Sequence, residues 1–240
     1  MTRLVDLTQE IYQGMFVFPG HLKTVLWEAA SHAETARSYE GGFSYVTGGL
    51  LMSEHGPTHV DSISHFDPRP GTPSIELMPL DTFYGSGVCL DVSHIPPRAD
   101  ITRDDVEAAA ARSRVPVRPD SVLLLHTGTY GRHGGTEQYL TQYPGLDADA
   151  SEWLVEREVR IFGVDAPSPD NPASRTYPCH MMCRARGITH YENLANLEQV
   201  IDREFVFVGF PLRIRGGTGS PVRAVAIVDD EAGDDSEHQA

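Results

Sequence analysis

Four residues able to bind a metal ion crowd into eleven positions: His55, His59, Asp61 and His65, in the run Ser53-Glu-His-Gly-Pro-Thr-His-Val-Asp-Ser-Ile-Ser-His65. Every gap between them is even. A mainly extended chain therefore points all four side chains to one face. A helix does not, because at about 100° per residue Asp61 falls about 120° away from His55. A straight strand fails too. At about 3.3 Å per residue, His55 and His59 stand about 13 Å apart, too far to share one ion. Gly56-Pro57 is a turn dipeptide at the place where a bend must bring His55 back towards His59 and Asp61. A histidine-rich surface loop is the plain alternative, but three histidines and an aspartate in register favour a metal site. Imidazole and carboxylate donors without a thiolate suit Zn, Mn or Fe.

The rest of the chain reads as short β-type runs with a few helices between them. The runs are Leu4–Ile11, Gly87–Ser93, Ser121–His126, Val159–Val164, Phe205–Phe210 and Val222–Val228, bounded by Gly, Pro, Asp or Ser. Thr102 and Asp105 stand at capping-box spacing and open a helix to Arg112. A second helix is expected over Asp149–Arg157. A third is expected over Thr189–Ile201, where Leu194, Leu197 and Ile201 share one face. Strands outnumber helices without regular βαβ alternation, so the expected class is α+β. The polar, glycine-bearing stretch from His21 to Gly48 reads as a flap or as irregular surface. Gly216-Gly-Thr-Gly219 reads as a hairpin connection.

Composition narrows the function classes. Of 240 residues, 34 are acidic and 19 basic, a formal charge of −15, so nucleic acid and anionic membrane surfaces are unsuited partners. Six of the acids fall in the last twelve residues, leaving about −9 elsewhere. The expected division is one domain over residues 1–228 and an acidic disordered tail over 229–240. No apolar run approaches the roughly 20 residues of a membrane span, and charge interrupts the N-terminus before a signal peptide can form. Three cysteines cannot build a disulfide framework, which points to the cytoplasm.

A second group of candidates lies at Pro178-Cys-His-Met-Met-Cys183 and Thr189-His-Tyr-Glu-Asn193. His180 and Glu192 can complete a site begun by the first cluster. Equally, Thr189-x-x-Glu192 reads as a capping box in which Glu192 serves only its helix, with His190 a surface residue beside it. Cys179 and Cys183 read as buried small hydrophobes. No Gly-x-Ser-x-Gly elbow, phosphate loop or His-Glu-x-x-His motif occurs. Hydrolysis, if this chain performs it, falls to metal-activated water.

The first cluster resembles the signature of the metal-dependent cyclase/kynurenine formamidase family, His-x-Gly-Thr-His-x-Asp-x-Pro-x-His, here His55-Gly-Pro-Thr-His59-Val-Asp61-Ser-Ile-Ser-His65. Leu90–Ser93, Leu123–Gly128 and Phe162–Ser168 are similar to later strands of that family. Ile188–Leu197 is similar to its late helix and Gly219–Ala226 to its last strand. The resemblance implies a compact mixed-sheet β/α domain that assembles as a homodimer or homotetramer. It also implies that His55, His59, Asp61, His180 and Glu192 bind one or two divalent ions, Zn or Mn, with Asp61 and Glu192 able to bridge. His65 becomes the catalytic acid/base. Phe18 and Tyr45 are candidate substrate walls, with ordinary core packing the plain alternative for both. Two departures, Pro57 for glycine and Ile63 for proline, spare the ligands. Phe18 replaces the tryptophan with which kynurenine formamidases contact substrate.

The implied reaction is hydrolysis of a small amide, N-formyl or lactam bond. Two alternatives stand beside it: a metal-dependent cyclase or dehydratase acting on a polyketide-like carbonyl compound, and a non-catalytic binder of a small ligand.

Overall fold

The central strands are apolar on both faces, and both faces are covered. A computed structural model of the chain describes residues 1–229. Its elements run β1 (Thr2–Asp6), β2 (Val25–Ala30), α1 (His32–Thr35), β3 (Thr47–Leu51), β4 (His59–Asp61) and α2 (Ile63–Phe66). They continue with β5 (Tyr84–Asp91), β6 (Asp100–Ile101), α3 (Arg103–Arg112), β7 (Val122–His126), α4 (Thr129–His133), β8 (Gly145–Leu146) and α5 (Ala148–Glu156). The last are β9 (Ile161–Val164), α6 (Pro178–Arg186), β10 (His190–Glu192), β11 (Phe205–Val208), β12 (Gly219–Pro221) and β13 (Val225–Asp229). The tail expected at 229–240 lies outside the described residues, apart from Asp229, which ends β13.

Nine strands form one mixed sheet in the order β1-β13-β11-β5-β7-β9-β10-β4-β12. The middle four, β5, β7, β9 and β10, are parallel, and the flanking pairs are antiparallel. The mixed-sheet α+β class expected from the sequence therefore holds, with one correction. From β5 to β10 the chain does alternate as βαβ units, with α3, α5 and α6 in the crossovers, as parallel neighbours require. These helices cover one face, where Trp153, Leu154, Val106 and Met182 pack on Val88, Leu90, Leu123, Leu125 and Phe162. On the other face a second core joins Val60, Leu124, Tyr191, Phe205, Phe207 and Ala226 to Ile75, Phe83, Leu194 and Leu197 from the connections. Strands β7 and β9, buried on both faces, are continuous apolar runs, whereas β11 alternates buried and half-buried.

The capping box forms as expected. Thr102 accepts from the Asp105 amide, and Asp105 accepts from the Thr102 amide at 2.9 Å. Two local expectations are overturned and a third is refined. Residues 189–201 are not a helix: β10 occupies His190–Glu192, and only a 3-10 turn forms at Leu197–Gln199. The Thr189 hydroxyl caps nothing and donates instead to the Asp61 carbonyl at 2.7 Å. Asn193 and Asn196 take the left-handed conformation, which ends any helix there. Residues 21–48 are not irregular throughout: β2 pairs antiparallel with β3, and the two strands with their connection form an arm that ends at Leu51. Gly216–Gly219 is no hairpin turn, because β12 pairs with β4 and not with β11.

Candidate metal centre

The site is built on two adjacent antiparallel strands near one edge of the sheet. On β4, His59 and Asp61 share a face while Val60 points into the core. On β10, His190 and Glu192 do the same on either side of the core residue Tyr191. His59 lies directly opposite Glu192, so side chains of the two strands meet on one surface. Asp61 lies opposite Gly219 of β12. A Cβ at Gly219 would stand 2.8 Å from Cε1 of His55, so the close approach of that imidazole requires glycine.

His55 reaches back across the cis Gly56-Pro57 peptide, its Nδ1 2.7 Å from Oδ1 of Asp61 and its Nε2 2.9 Å from the Thr218 hydroxyl. His59 donates from Nδ1 to the Pro57 carbonyl at 2.9 Å. Its Nε2 is thereby left bare, 3.4 Å from Asp61 and 3.4 Å from Glu192. The even spacing holds only to Asp61. Beyond Ser62 the chain turns into α2, and His65 sits on that short helix. It still faces the site: its ring lies 4.0 Å from that of His55, and its Nε2 3.8 Å from Asp61. A third of the His65 side chain is exposed.

His180 enters from the first turn of α6, with Nε2 3.8 Å from both Asp61 and Glu192. Two further residues join the site, one without any sequence signal and one expected at the surface. Asp170, in the loop after β9, accepts from Nδ1 of His180 at 2.5 Å and from the Cys179 amide at 2.7 Å. His190 is fully buried and not at the surface, with Nε2 3.3 Å from Glu192 and 3.5 Å from Asp61. Its signal was the His-x-Glu alternation, which mirrors His-x-Asp on β4 once both are seen as strands. His21 is a third addition, its ring 5.8 Å from His55 and 5.3 Å from Phe18. Phe18 is thus at the rim. Tyr45 is not gathered into the site: it stands 42% exposed on the arm, its ring against Tyr39 and Phe43. The three cysteines are buried and unbridged.

The donors form two sets that share Asp61: His55, His59 and Asp61, then Asp61, His180, His190 and Glu192. Within each set the donor atoms lie within 4.8 Å of one another. Nε2 of His59 and Oδ2 of Asp61 are buried without a hydrogen-bond partner, a donor arrangement that fits a divalent cation. Without an ion, protons carry the compensating charge. Burial pushes the His59 imidazole down, but the Asp61 and Glu192 carboxylates outweigh it and lift the group to about 10. Burial raises Glu192, and His190 and His59 bring it down to about 2. His65 differs: burial holds it at about 4, so it is neutral near pH 7.

The Cyclase family model matches residues 5–171, so His180, His190 and Glu192 lie beyond the matched stretch. Kynurenine formamidase of Bacillus cereus is 29% identical over 221 residues, covering 92% of this chain and 95% of the relative. Among solved structures, isatin hydrolase A from Labrenzia aggregata bound to benzyl benzoate gives a TM-score of 0.83 at 25% identity, covering 95% of this chain and 94% of that one. Isatin hydrolase A from Ralstonia solanacearum gives 0.82 at 25% identity, covering 95% and 92%.

Proposed function

The chain belongs to the cyclase family, and on that premise we propose that it hydrolyses a small amide, N-formyl or lactam bond with a divalent metal ion. The observation that carries the reading is the pair of orphaned buried atoms, His59 Nε2 and Asp61 Oδ2, inside a ring of imidazoles and carboxylates. The similarity to a kynurenine formamidase and to isatin hydrolases supports the choice of bond.

His55, His59, Asp61, His180 and Glu192 hold the metal, with Zn or Mn suited to these nitrogen and oxygen donors, one or two ions per chain. When bound, the ion makes water nucleophilic near neutral pH and polarises the scissile carbonyl. His65 moves the proton. Neutral at pH 7 and open to solvent at the rim, it takes a proton as water attacks and returns it to the departing nitrogen. An amine or anilide is a poor leaving group until that proton arrives. Phe18, beside His21, forms an apolar wall for a flat substrate. Tyr45 reaches the substrate only by a movement of the arm.

The protein works as a homodimer or homotetramer, a reading supported by Leu26, Trp27, Leu50 and Leu51, all exposed on the arm. Among the described residues no helix is long and apolar enough to cross a membrane. Unbridged cysteines support the cytoplasm as the working compartment.

The test is elemental analysis of gently purified protein, followed by mass spectrometry of products from arylformamides and lactams. A hydrolase gives substrate plus one water. A product of unchanged mass, or one water lighter, identifies a cyclase or dehydratase instead. Metal binding without turnover across the panel identifies a binding protein.

A further inference from the structure

His190 is the one member of the donor ring that the reading above leaves without a role. Its side chain is completely buried, stacked 5.2 Å from Phe162 and 6.2 Å from Phe66, so it cannot turn to solvent. Its Nδ1 faces the sulfur of Cys183 at 3.7 Å, a weak partner. The other nitrogen, Nε2, is aimed at Glu192 Oε1 and Asp61 Oδ2, at 3.3 and 3.5 Å. Nε2 of His180 approaches the same two oxygens, at 3.8 Å each. Ligands about 2.0–2.2 Å from a common tetrahedral ion stand about 3.3–3.6 Å apart, close to these separations.

The strand register supports the same conclusion. β4 and β10 pair with His59 opposite Glu192 and Val60 opposite Tyr191, and that register brings His190 to Asp61. Two nitrogens and two oxygens therefore converge from β4, β10 and the start of α6. The first donor set has three converging members, His55, His59 and Asp61, beside the partly exposed His65.

We propose that His190 is a sixth protein ligand and that, with Asp61, His180 and Glu192, it closes a four-donor position for a second divalent ion. This rests on the metal reading above and extends it with a division of labour. Four protein donors complete a tetrahedral ion and leave it no open coordination site, so this ion is structural. Three donors leave the other ion open, next to His65, and that ion meets the reactants. Asp61 belongs to both sets, with Oδ1 2.7 Å from His55 and Oδ2 3.5 Å from His190, and would be shared between the two ions. In the competing account, His190 only pairs with Glu192 and touches no ion.

The experiment is a Zn²⁺ titration of metal-free full-length protein against a chromophoric chelator, comparing wild type, His190→Leu and His55→Ala. Leucine is chosen to fill the slot between Phe66 and Phe162. We expect two ions with unequal affinities in the wild type. His190→Leu should weaken the tighter step by about 100-fold or more and leave the weaker one within about threefold. His55→Ala should do the reverse. Wild-type uptake that His190→Leu leaves unchanged overturns the proposal alone. No uptake by wild type overturns it together with the metal reading.

A measurement on the wild type covers the case in which the leucine variant does not fold. Protein carrying isotope-labelled histidine is loaded with a spin-active cadmium isotope. Four imidazole nitrogens split by coupling to the metal, His190 Nε2 among them, support the proposal. Splitting that omits His190 overturns it.

Discussion

Nδ1 of His180 donates to Oδ2 of Asp170 at 2.5 Å, across ten residues of chain, and both groups are largely shielded from water. The contact fixes the imidazole orientation and leaves Nε2 as the free ligand atom. Asp170→Asn keeps an oxygen for the Cys179 amide but turns an NH2 group, itself a donor, towards Nδ1 and the backbone amide of His180. Metal affinity should fall about 10- to 100-fold, measured by chelator competition.

His65 is positioned to move protons without holding the site together. His65→Gln should leave metal content at the wild-type value and lower kcat by about 10²- to 10⁴-fold on any arylformamide or lactam the wild type cleaves. Metal analysis and steady-state kinetics on the same preparation check both halves. Near-full activity in the variant removes the acid/base assignment.

The pH behaviour follows from His59. In metal-free protein this group sits at about 10, above its ordinary 6.5, so it is protonated near neutrality. Its contribution to stability is fully present below 6.5 and is lost as pH rises through about 10. Chelator-treated protein should therefore melt lower at pH 10.5 than at pH 7, and loaded protein should lose less. The ion held by the His55, His59 and Asp61 set must also displace that proton, so the apparent affinity of that set should rise about tenfold per pH unit up to about 10. A flat affinity profile between pH 7 and 9 contradicts the assignment.

Gly219 tests the seat of His55. Gly219→Ala places a methyl 2.8 Å from Cε1 and 3.1 Å from Nδ1 of that ring, which must move. Calorimetric titration should show metal binding weakened about tenfold or more.

Away from the site, Thr102→Ala removes the cap of α3. A cost of about 1 kcal/mol and a melting temperature lower by about 2–4 °C are expected, with catalysis unaffected.

Much of this centre was legible because strand alternation is a local code. His59-Val-Asp61 declares its ligand and core faces within three residues, and Thr102 with Asp105 declares a helix start within four. The second half was misread because His190-Tyr-Glu192 sits inside a stronger helical pattern. Leu194, Leu197 and Ile201 fall at helical spacing, although in the fold they reach the core from an irregular turn. Pairing of β10 with β4, and the Thr189 hydroxyl on the Asp61 carbonyl, override that local preference. Asp170 gave no signal at all. It lies in a proline-bearing loop, and only the packing of α6 against the sheet brings it behind His180. The βαβ crossovers were hidden for a related reason: α3 and α5 are short, and the long connections around them obscure the alternation.

Val60 and Tyr191, the residues between the ligands on β4 and β10, both belong to the core. A slip of either strand by one position turns its donors into the apolar interior and its core side chain out into the pocket. Such a chain loses its fold before it can lose its activity. Quality control that discards unfolded protein thus also discards misregistered sites, and the hydrophobic interior acts as proofreader for the chemistry on its far side.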